Sequence, residues 1–462
     1  MYNKKYHIYF LGIGGIGMSA LARYFMLNGV NVSGYDRTST PLTKQLEKEG
    51  AVIHYDDNPQ KIPSDIDEVI YTPAIPADNK EWEYIRSLNI PVKKRAAVLG
   101  EISQKYKTIA VAGTHGKTSV TSIVSFLLRE GKIPHIAFIG GISNNLKSNF
   151  YHDDNAEFCV VEADEYDRSF LQLHHDYSII TSADDDHLDI YKTSDEVKNA
   201  FSQFAHKTKK IVIAKKEIEN ILTAKNICTY SIQDSSANAF AQNIRVEKGI
   251  YFFDYVYKKN IINNLSLESC GEYNIENAVA AITVALEAGV KTKDIKRSLP
   301  LFSGVKRRFD FHVKTSDVIY ADDYAHHPKE IETSINSFKK LYPQHLLLVV
   351  FQPHLYSRTR DFADSFAKAL SFANELVLLD IYPARENPVE GISAKTIGER
   401  ISDIPLKYET KETLPAYLKE RLHNETRPVL LVTMGAGDID TLVEPITTVI
   451  ESLPTLPKVS NK

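Results

Sequence analysis

Apolar residues along the chain come in short runs that repeatedly break at a glycine or an acid, a rhythm that predicts strands feeding turns and then helices. The first run, YHIYFLG from Tyr6, enters a glycine turn and then MSALARYFML, a helical stretch closed at Gly29, where glycine can take the left-handed conformation that stops a helix. A second strand, NVSGYD, follows, and runs such as EVIYTPAI continue the alternation to about Tyr106. Strands and helices alternating in this way build a mostly parallel sheet.

At KTIAVAGTHGKTSVTSIVSFLLREG the pattern restarts: strand, glycine-containing loop, then a helix whose Val120, Ile123, Val124, Leu127 and Leu128 share one face. Two further strands, FCVVEADE and YSIITSADDDHLD, end in acids, and GIYFFDYVY reads as an antiparallel strand. Near SGVKRRFDF a third series begins. Its strands DVIYADD, HLLLVVF, ELVLLDIY and PVLLVTMGAG alternate with helical stretches such as TRDFADSFAKALSFA, which implies right-handed crossovers and another parallel sheet. The expected fold class is α/β in three domains: Rossmann-like at 1–106, a central P-loop ATPase-type domain with a mixed sheet at 107–308, and Rossmann-like again at 309–462. The sequence shows no repeat, low-complexity tract or coiled coil.

Composition adds exclusions. A chain of 462 residues is too long for one core. With 55 basic and 59 acidic residues, a net charge of -4 and no long basic run, nothing predicts a grip on nucleic acid or membrane. The longest apolar runs, such as LLLVV, fall far short of a bilayer span, and the N-terminal run flows into a glycine turn instead of a cleavage site. Cys159, Cys228 and Cys270 are widely spaced, without metal or disulfide patterning. Together these features predict a cytoplasmic protein with small-molecule partners.

Two glycine motifs carry the first chemistry. In GIGGIGMS, Gly12, Gly14 and Gly17 allow a tight turn and close backbone approach to a diphosphate at a helix N-terminus. Asp36 stands 19 residues beyond Gly17, where a dinucleotide site often places a ribose-binding acid, so the motif alone does not name its nucleotide. In AVAGTHGKTSV, Gly113, Gly116, Lys117 and Thr118 suit a triphosphate and its magnesium, although Val111 replaces the first glycine of the general phosphate loop. Glu162 and Asp164, then Asp185, Asp186, His187 and Asp189, follow strands that should end beside that loop, and hard oxygen ligands favour magnesium. Asn274 and Asn277, Arg307 and Arg308, His326 and His327, and His354 and Arg358 each have an ordinary reading as caps or solvated groups, but they recur in one order along the chain.

That order resembles the Mur ligases, the ATP-dependent amino-acid-adding enzymes of peptidoglycan synthesis. Their phosphate loop is a shortened one like GTHGKT, and their N-terminal glycine turn is similar in holding UDP instead of a nicotinamide dinucleotide. GIGGIGMSALA, EADEYDRSFL, DDYAHHPKEI, FQPHLYSRTRDF and DIYPARENP most resemble the branch that joins L-alanine to UDP-N-acetylmuramate. The resemblance implies ATP and Mg2+ as cofactors and a monomer or homodimer. It places the UDP part on Gly12, Gly14, Gly15, Gly17, Met18, Ser19 and Asp36. ATP would lie on Gly113, Thr114, His115, Gly116, Lys117, Thr118 and Ser119, completed by Asn274, Asn277, Arg308 and Asp323. Magnesium would take Thr118, Glu162 and His187, and the amino acid or reacting phosphate would meet Tyr324, His327, His354 and Arg358. Lys117, Glu162, His187, Arg308, His354 and Arg358 would be the catalytic set. Three positions depart from the usual pattern: Tyr273 where many relatives have histidine, Ser182 where many have asparagine, and Leu355 where many have arginine. No lysine stands at the family's carbamylated position, Lys198 being off register.

The implied reaction has the lactyl carboxylate attack the γ-phosphate, giving an acyl phosphate that the alanine amine then opens. Two anions meet in the first step, so cations must gather there. The second step needs water excluded, which predicts closure of the third domain. A ligase that recycles a tripeptide onto the same UDP-sugar is the nearest alternative. A nicotinamide oxidoreductase rests on the first glycine turn and Asp36 but explains neither the phosphate loop nor the acid clusters, and a non-catalytic nucleotide module leaves the later histidines and arginines without a role.

Overall fold

The computed structural model describes residues 6–184, 191–268, 271–384 and 386–453. Strands β1 (His7–Leu11), β2 (Asn31–Tyr35), β3 (Val52–His54), β4 (Glu68–Tyr71) and β5 (Val92–Lys94) make a parallel sheet in the order β3-β2-β1-β4-β5. Every residue of β1 is buried, as a central parallel strand covered on both faces requires. Strand order reverses at β1, so the glycine turn that follows it opens into the crevice where such sheets take ligands.

The second sheet comprises β6 (Lys107–Ala112), β7 (His135–Ser143), β8 (Ser148–His152), β9 (Phe158–Glu162), β10 (Tyr177–Ile180), β11 (Ile211–Lys215), β12 (Ile227–Ser231), β13 (Ala239–Glu247), β14 (Ile250–Tyr257) and β15 (Asn260–Glu268). Its order is β15-β14-β13-β12-β11-β10-β6-β9-β7-β8, with β6 parallel to both β9 and β10. The loops after these three strands therefore emerge side by side. Val120, Ile123, Val124, Leu127 and Leu128 of the helix Lys117–Glu130 are each at most 1% exposed, as the sequence predicts. Burying each such side chain contributes about 1.5–3 kcal/mol, which fixes the start of that helix against the sheet. The sequence predicts one antiparallel strand near GIYFFDYVY, whereas the structure has the run β13 to β15. Lys248 and Gly249, both at positive φ (+51° and +77°), make the tight connection from β13 to β14.

The third sheet contains β16 (Asp310–Lys314), β17 (Val318–Asp323), β18 (Leu346–Phe351), β19 (Glu375–Leu378), β20 (Leu406–Tyr408) and β21 (Val429–Met434), ordered β16-β17-β21-β18-β19-β20. It is parallel except for the antiparallel edge strand β16. The chain divides into two compact units, Met1–Ile244 with Phe253–Leu265 and Asn274–Ser303, and Arg245–Phe252 with Ser266–Tyr273 and Gly304–Lys462. Among the described residues no helix is long and apolar enough to cross a membrane. Cys159 and Cys228 are buried free thiols, pushed up by that burial to about 12 and about 11; Cys270 lies outside the described residues.

Candidate active site

Two glycines shape the loop between β6 and the helix Lys117–Glu130, Gly113 at φ +138° and Gly116 at φ +82°. A Cβ on Gly113 would lie 2.0 Å from Thr181 Oγ1, and one on Gly116 would lie 2.8 Å from Asn277 Oδ1. Both positions are thus closed to side chains. Ser182 Oγ accepts from His115 N at 3.0 Å and bonds Thr114 Oγ1 at 2.7 Å, so this departure from the family pattern supports the loop. Asn277 Nδ2 donates to Asn274 Oδ1 at 2.9 Å, placing both asparagines beside Gly116. The helix begins at Lys117 and turns its unpaired N–H groups and positive dipole end toward the loop.

Lys117 Nζ donates to Gly113 O at 2.7 Å and lies 2.9 and 2.8 Å from the two carboxylate oxygens of Glu165. Burial works to lower the ammonium's pKa, but Glu165, Asp164 and Glu162 outweigh it and hold the group above its usual range. Glu162 accepts from Thr118 Oγ1 at 3.1 Å and from Gly140 N at 2.9 Å. Burial raises this carboxyl against the pull of Lys117 and Thr118. A hydroxyl and a half-buried carboxylate side by side at the foot of a phosphate loop are hard donors that fit Mg2+. His187, with Asp185, Asp186 and Asp189, lies outside the described residues. Among the described residues no three His, Cys, Asp or Glu side chains come together to hold a metal ion.

The glycine turn after β1 is closed by its own backbone and by Asp36. Gly12 N and Ile13 N donate to Tyr35 O at 2.8 and 3.0 Å, and Asp36 accepts from Gly14 N at 2.8 Å and Thr38 N at 3.2 Å. A Cβ on Gly17 would fall 2.7 Å from Arg95 Nη1, so a guanidinium overlies the helix start where an anion is expected. Gly15 is exposed on the open side of the turn. Met18 and Ser19, expected among the ligand contacts, point into the packing instead, at 1% and 0% exposure. Ser19 Oγ donates to Ile16 O at 2.9 Å and accepts from Asn149 Nδ2 at 2.9 Å, and Ser19 N donates to Gly15 O at 2.9 Å, so this serine is engaged within the fold.

The second unit gathers the later histidines and arginines. Arg308 and Arg307 lie 4.8 and 5.0 Å from the Tyr324 ring centroid. Arg307 also donates to Gly435 O at 2.6 Å and lies 3.5 Å from Asp322, whose carboxyl burial raises to about 7. Asp323 accepts from Ala325 N and Ser334 Oγ, each at 2.9 Å, so both oxygens brace the turn that leads to the histidine pair. The sequence favours His327, but that ring packs 5.3 Å from Phe362, whereas His326 lies 6.2 Å from His354. Burial, then His326 and Arg358, lower His354 to about 4, and burial also lowers His326. Neutral imidazoles result. His354 Nδ1 and Arg358 Nη1 are buried without a hydrogen-bond partner among the described residues, an arrangement suited to an anion. Leu355, between them, sits at φ +72° and ψ 137°, where side chains are strained, with its N–H on Tyr382 O and its carbonyl receiving Thr359 N.

Comparison with known proteins covers all three sheets. Family profiles described as "Mur ligase family, catalytic domain", "Mur ligase middle domain" and "Mur ligase, glutamate ligase domain" match residues 7–107, 111–285 and 307–437. The chain belongs to the Mur ligase family. Among Mur ligases it is 45% identical over 455 residues to the UDP-N-acetylmuramate–L-alanine ligase of Parabacteroides distasonis, covering 96% of this chain and 97% of that one. The enzyme of the same name from Christiangramia forsetii is 44% identical over 450 residues, covering 96% and 97%. The UDP-N-acetylmuramate-alanine ligase MurC of Thermotoga maritima superposes with a TM-score of 0.83 at 25% identity, covering 96% of this chain and 99% of that one. A murein peptide ligase of Psychrobacter arcticus shares the fold, with a TM-score of 0.69 at 23% identity over 97% and 99%. The three-domain α/β fold of the Mur ligases is therefore that of this chain.

Sequence reasoning missed Glu165 and Arg95. Glu165 stands in EADE, one residue beyond Asp164 and three beyond Glu162, and no local signal says which acid meets the lysine. Arg95 opens the helix Arg95–Ser103, where a surface cation is the ordinary expectation.

Proposed function

We propose that the protein is an ATP-dependent ligase that joins L-alanine to the lactyl carboxylate of UDP-N-acetylmuramate, releasing ADP and phosphate during peptidoglycan precursor synthesis. The observation that carries this reading is 45% identity, over 96% of the chain, to a ligase of that name. Residues 1–106 hold the UDP part, 107–308 the ATP, and 309–462 the amino acid. The turn formed by Gly12, Gly14, Gly15 and Gly17 lets the diphosphate approach the backbone closely, with Arg95 above the helix start. Gly113 to Ser119 wrap the ATP phosphates, and Lys117 reaches the terminal ones.

In the first step the sugar's carboxylate approaches the γ-phosphate, and Lys117 and Arg308 offset the charge that builds on the transferred group. Thr118, Glu162 and His187 would hold Mg2+, which supplies further charge neutralisation on the phosphates. In the second step the alanine amine, unprotonated, opens the acyl phosphate. Arg358 holds the amino acid's carboxylate, and the neutral His354 beside it adds no competing charge. The acyl phosphate must be shielded from water for the amine to reach it first.

Phosphate release with ATP, Mg2+ and UDP-N-acetylmuramate, measured separately with L-alanine, glycine, L-serine, D-glutamate and the recycling tripeptide, tests the reading. Release that depends on L-alanine, with a product heavier by one alanyl residue, supports it. Release with the tripeptide alone moves the protein to the recycling step, and no release with any acceptor sinks the ligase assignment.

A further inference from the structure

Three acids surround Lys117, and they are differently occupied. Glu162 is engaged by Thr118 Oγ1 and Gly140 N. Asp164 accepts from Tyr166 N at 3.2 Å and faces Arg95 Nη2 at 3.5 Å. Glu165, 1% exposed, is the acid that sets both oxygens against the ammonium, at 2.9 and 2.8 Å. Its backbone is fixed as well: Tyr191 Oη donates to Glu165 O at 2.5 Å, and Arg168 N donates to the same carbonyl at 2.9 Å. Beyond it, Asp167 and Arg168 take left-handed backbone at φ +49° and +61°, and Asp167 is paired with Lys94. The chain thus holds one carboxylate rigidly against the lysine that a triphosphate needs.

We propose that Glu165 is a positioning residue for phosphoryl transfer, holding Lys117 by two oxygens so that its bond to the loop carbonyl of Gly113 is the one exchanged for phosphate. The inference rests on the ligase reading. A lysine has three N–H donors on a flexible stem, and an ammonium with only neutral loop carbonyls to choose from would have several orientations. Oε1 accepts a hydrogen bond while Oε2 lies in ionic contact without one, and the ammonium's other contacts are Gly113 O at 2.7 Å and Thr114 O at 3.5 Å in the loop. Glu165 also compensates the buried charge before any nucleotide arrives, and it does so without touching substrate.

The test compares wild type, Glu165→Gln and Glu165→Asp in steady-state turnover and in binding of a non-hydrolysable ATP analogue. For Glu165→Gln, kcat falls by roughly 10- to 100-fold, the range spanned by loss of one charged hydrogen-bond contact. Analogue affinity stays within about threefold, because removing a nearby negative charge offsets the lost orientation. In Glu165→Asp kcat also falls while affinity is kept, since the charge remains but its reach is shorter. Turnover of Glu165→Gln within about threefold of wild type, or affinity lost in step with kcat, would overturn the proposal. Should Glu165→Gln fail to fold by thermal melting, Glu165→Asp carries the test, and wild-type kcat in it overturns the proposal. Wild-type protein that binds no nucleotide at all removes the ligase reading and this inference with it.

Discussion

Alanine at Gly113 is the sharpest test of the phosphate loop. The residue sits at φ +138°, where an L side chain costs about 1–3 kcal/mol in backbone strain. Its new Cβ would lie 2.0 Å from Thr181 Oγ1 and 2.9 Å from Ser182 N, so the hydroxyl must leave. The one hydrogen of Thr181 Oγ1 is shared between Ala112 O, at 3.2 Å, and His115 O, and its loss costs about 1 kcal/mol. The sum is about 2–4 kcal/mol against the binding-competent loop, or roughly thirtyfold to several hundredfold in nucleotide affinity at about 1.4 kcal/mol per tenfold. Gly29 provides the control: its φ is +76°, but nothing lies within 4 Å of an added Cβ. Alanine there should cost only about 1 kcal/mol of stability and leave nucleotide binding unchanged. Titration of both variants with a fluorescent ATP analogue decides the matter. Gly113→Ala binding within about tenfold of wild type would refute the steric reasoning.

Other expectations follow from the same geometry. Glu162→Gln should raise the Mg2+ concentration for half-maximal turnover by about tenfold or more, because it removes the charged member of the proposed ligand set; an unchanged magnesium titration would exclude that role. Asn149→Ala should lower stability by about 2–3 kcal/mol, since Asn149 is buried and joins Arg23 to Ile16 O and Ser19 Oγ; an unaltered urea midpoint would show the network to be dispensable. His135 and His175 are held by burial at about 4 in the folded chain, below the 6.5 of the unfolded one. The unfolded state therefore takes up protons first. Their contribution is complete above about pH 6.5 and is lost as pH falls toward 4, by at most about 3 kcal/mol each; urea midpoints flat across that window would contradict it. Arg358→Ala should raise the L-alanine requirement with ATP affinity nearly intact, and an unchanged alanine dependence would remove Arg358 from that site.

Much of this was legible in the sequence because buried parallel strands write themselves as continuous apolar runs. β6 and β18 are examples, buried along nearly their whole length and each ending where a loop was expected. The phosphate loop was readable for a different reason: its glycines are demanded by backbone angles and by neighbours within 3 Å. What stayed hidden depends on three-dimensional choice among similar side chains. His326 and His327 are adjacent, and only the turn braced by Asp323 sends one toward His354 and the other onto Phe362. Glu165 meets the lysine while Glu162 is engaged by Thr118 and Gly140 and Asp164 by Tyr166 N, a division of partners that the run EADE does not announce. The β13–β14 turn was concealed because a lysine occupies its first left-handed position, where asparagine or glycine would have announced it.

Leu355 has a bearing on specificity. Glycine would hold its backbone angles at no steric cost, and an arginine would supply charge, yet the chain keeps a branched apolar side chain in a conformation that opposes it. A residue retained against its own backbone preference implies that its side chain does something glycine could not. The amino-acid end of this ligase would then be fitted around a greasy wall at position 355, with recognition of the anion left to Arg358, and selectivity among small amino acids should follow shape there more than charge.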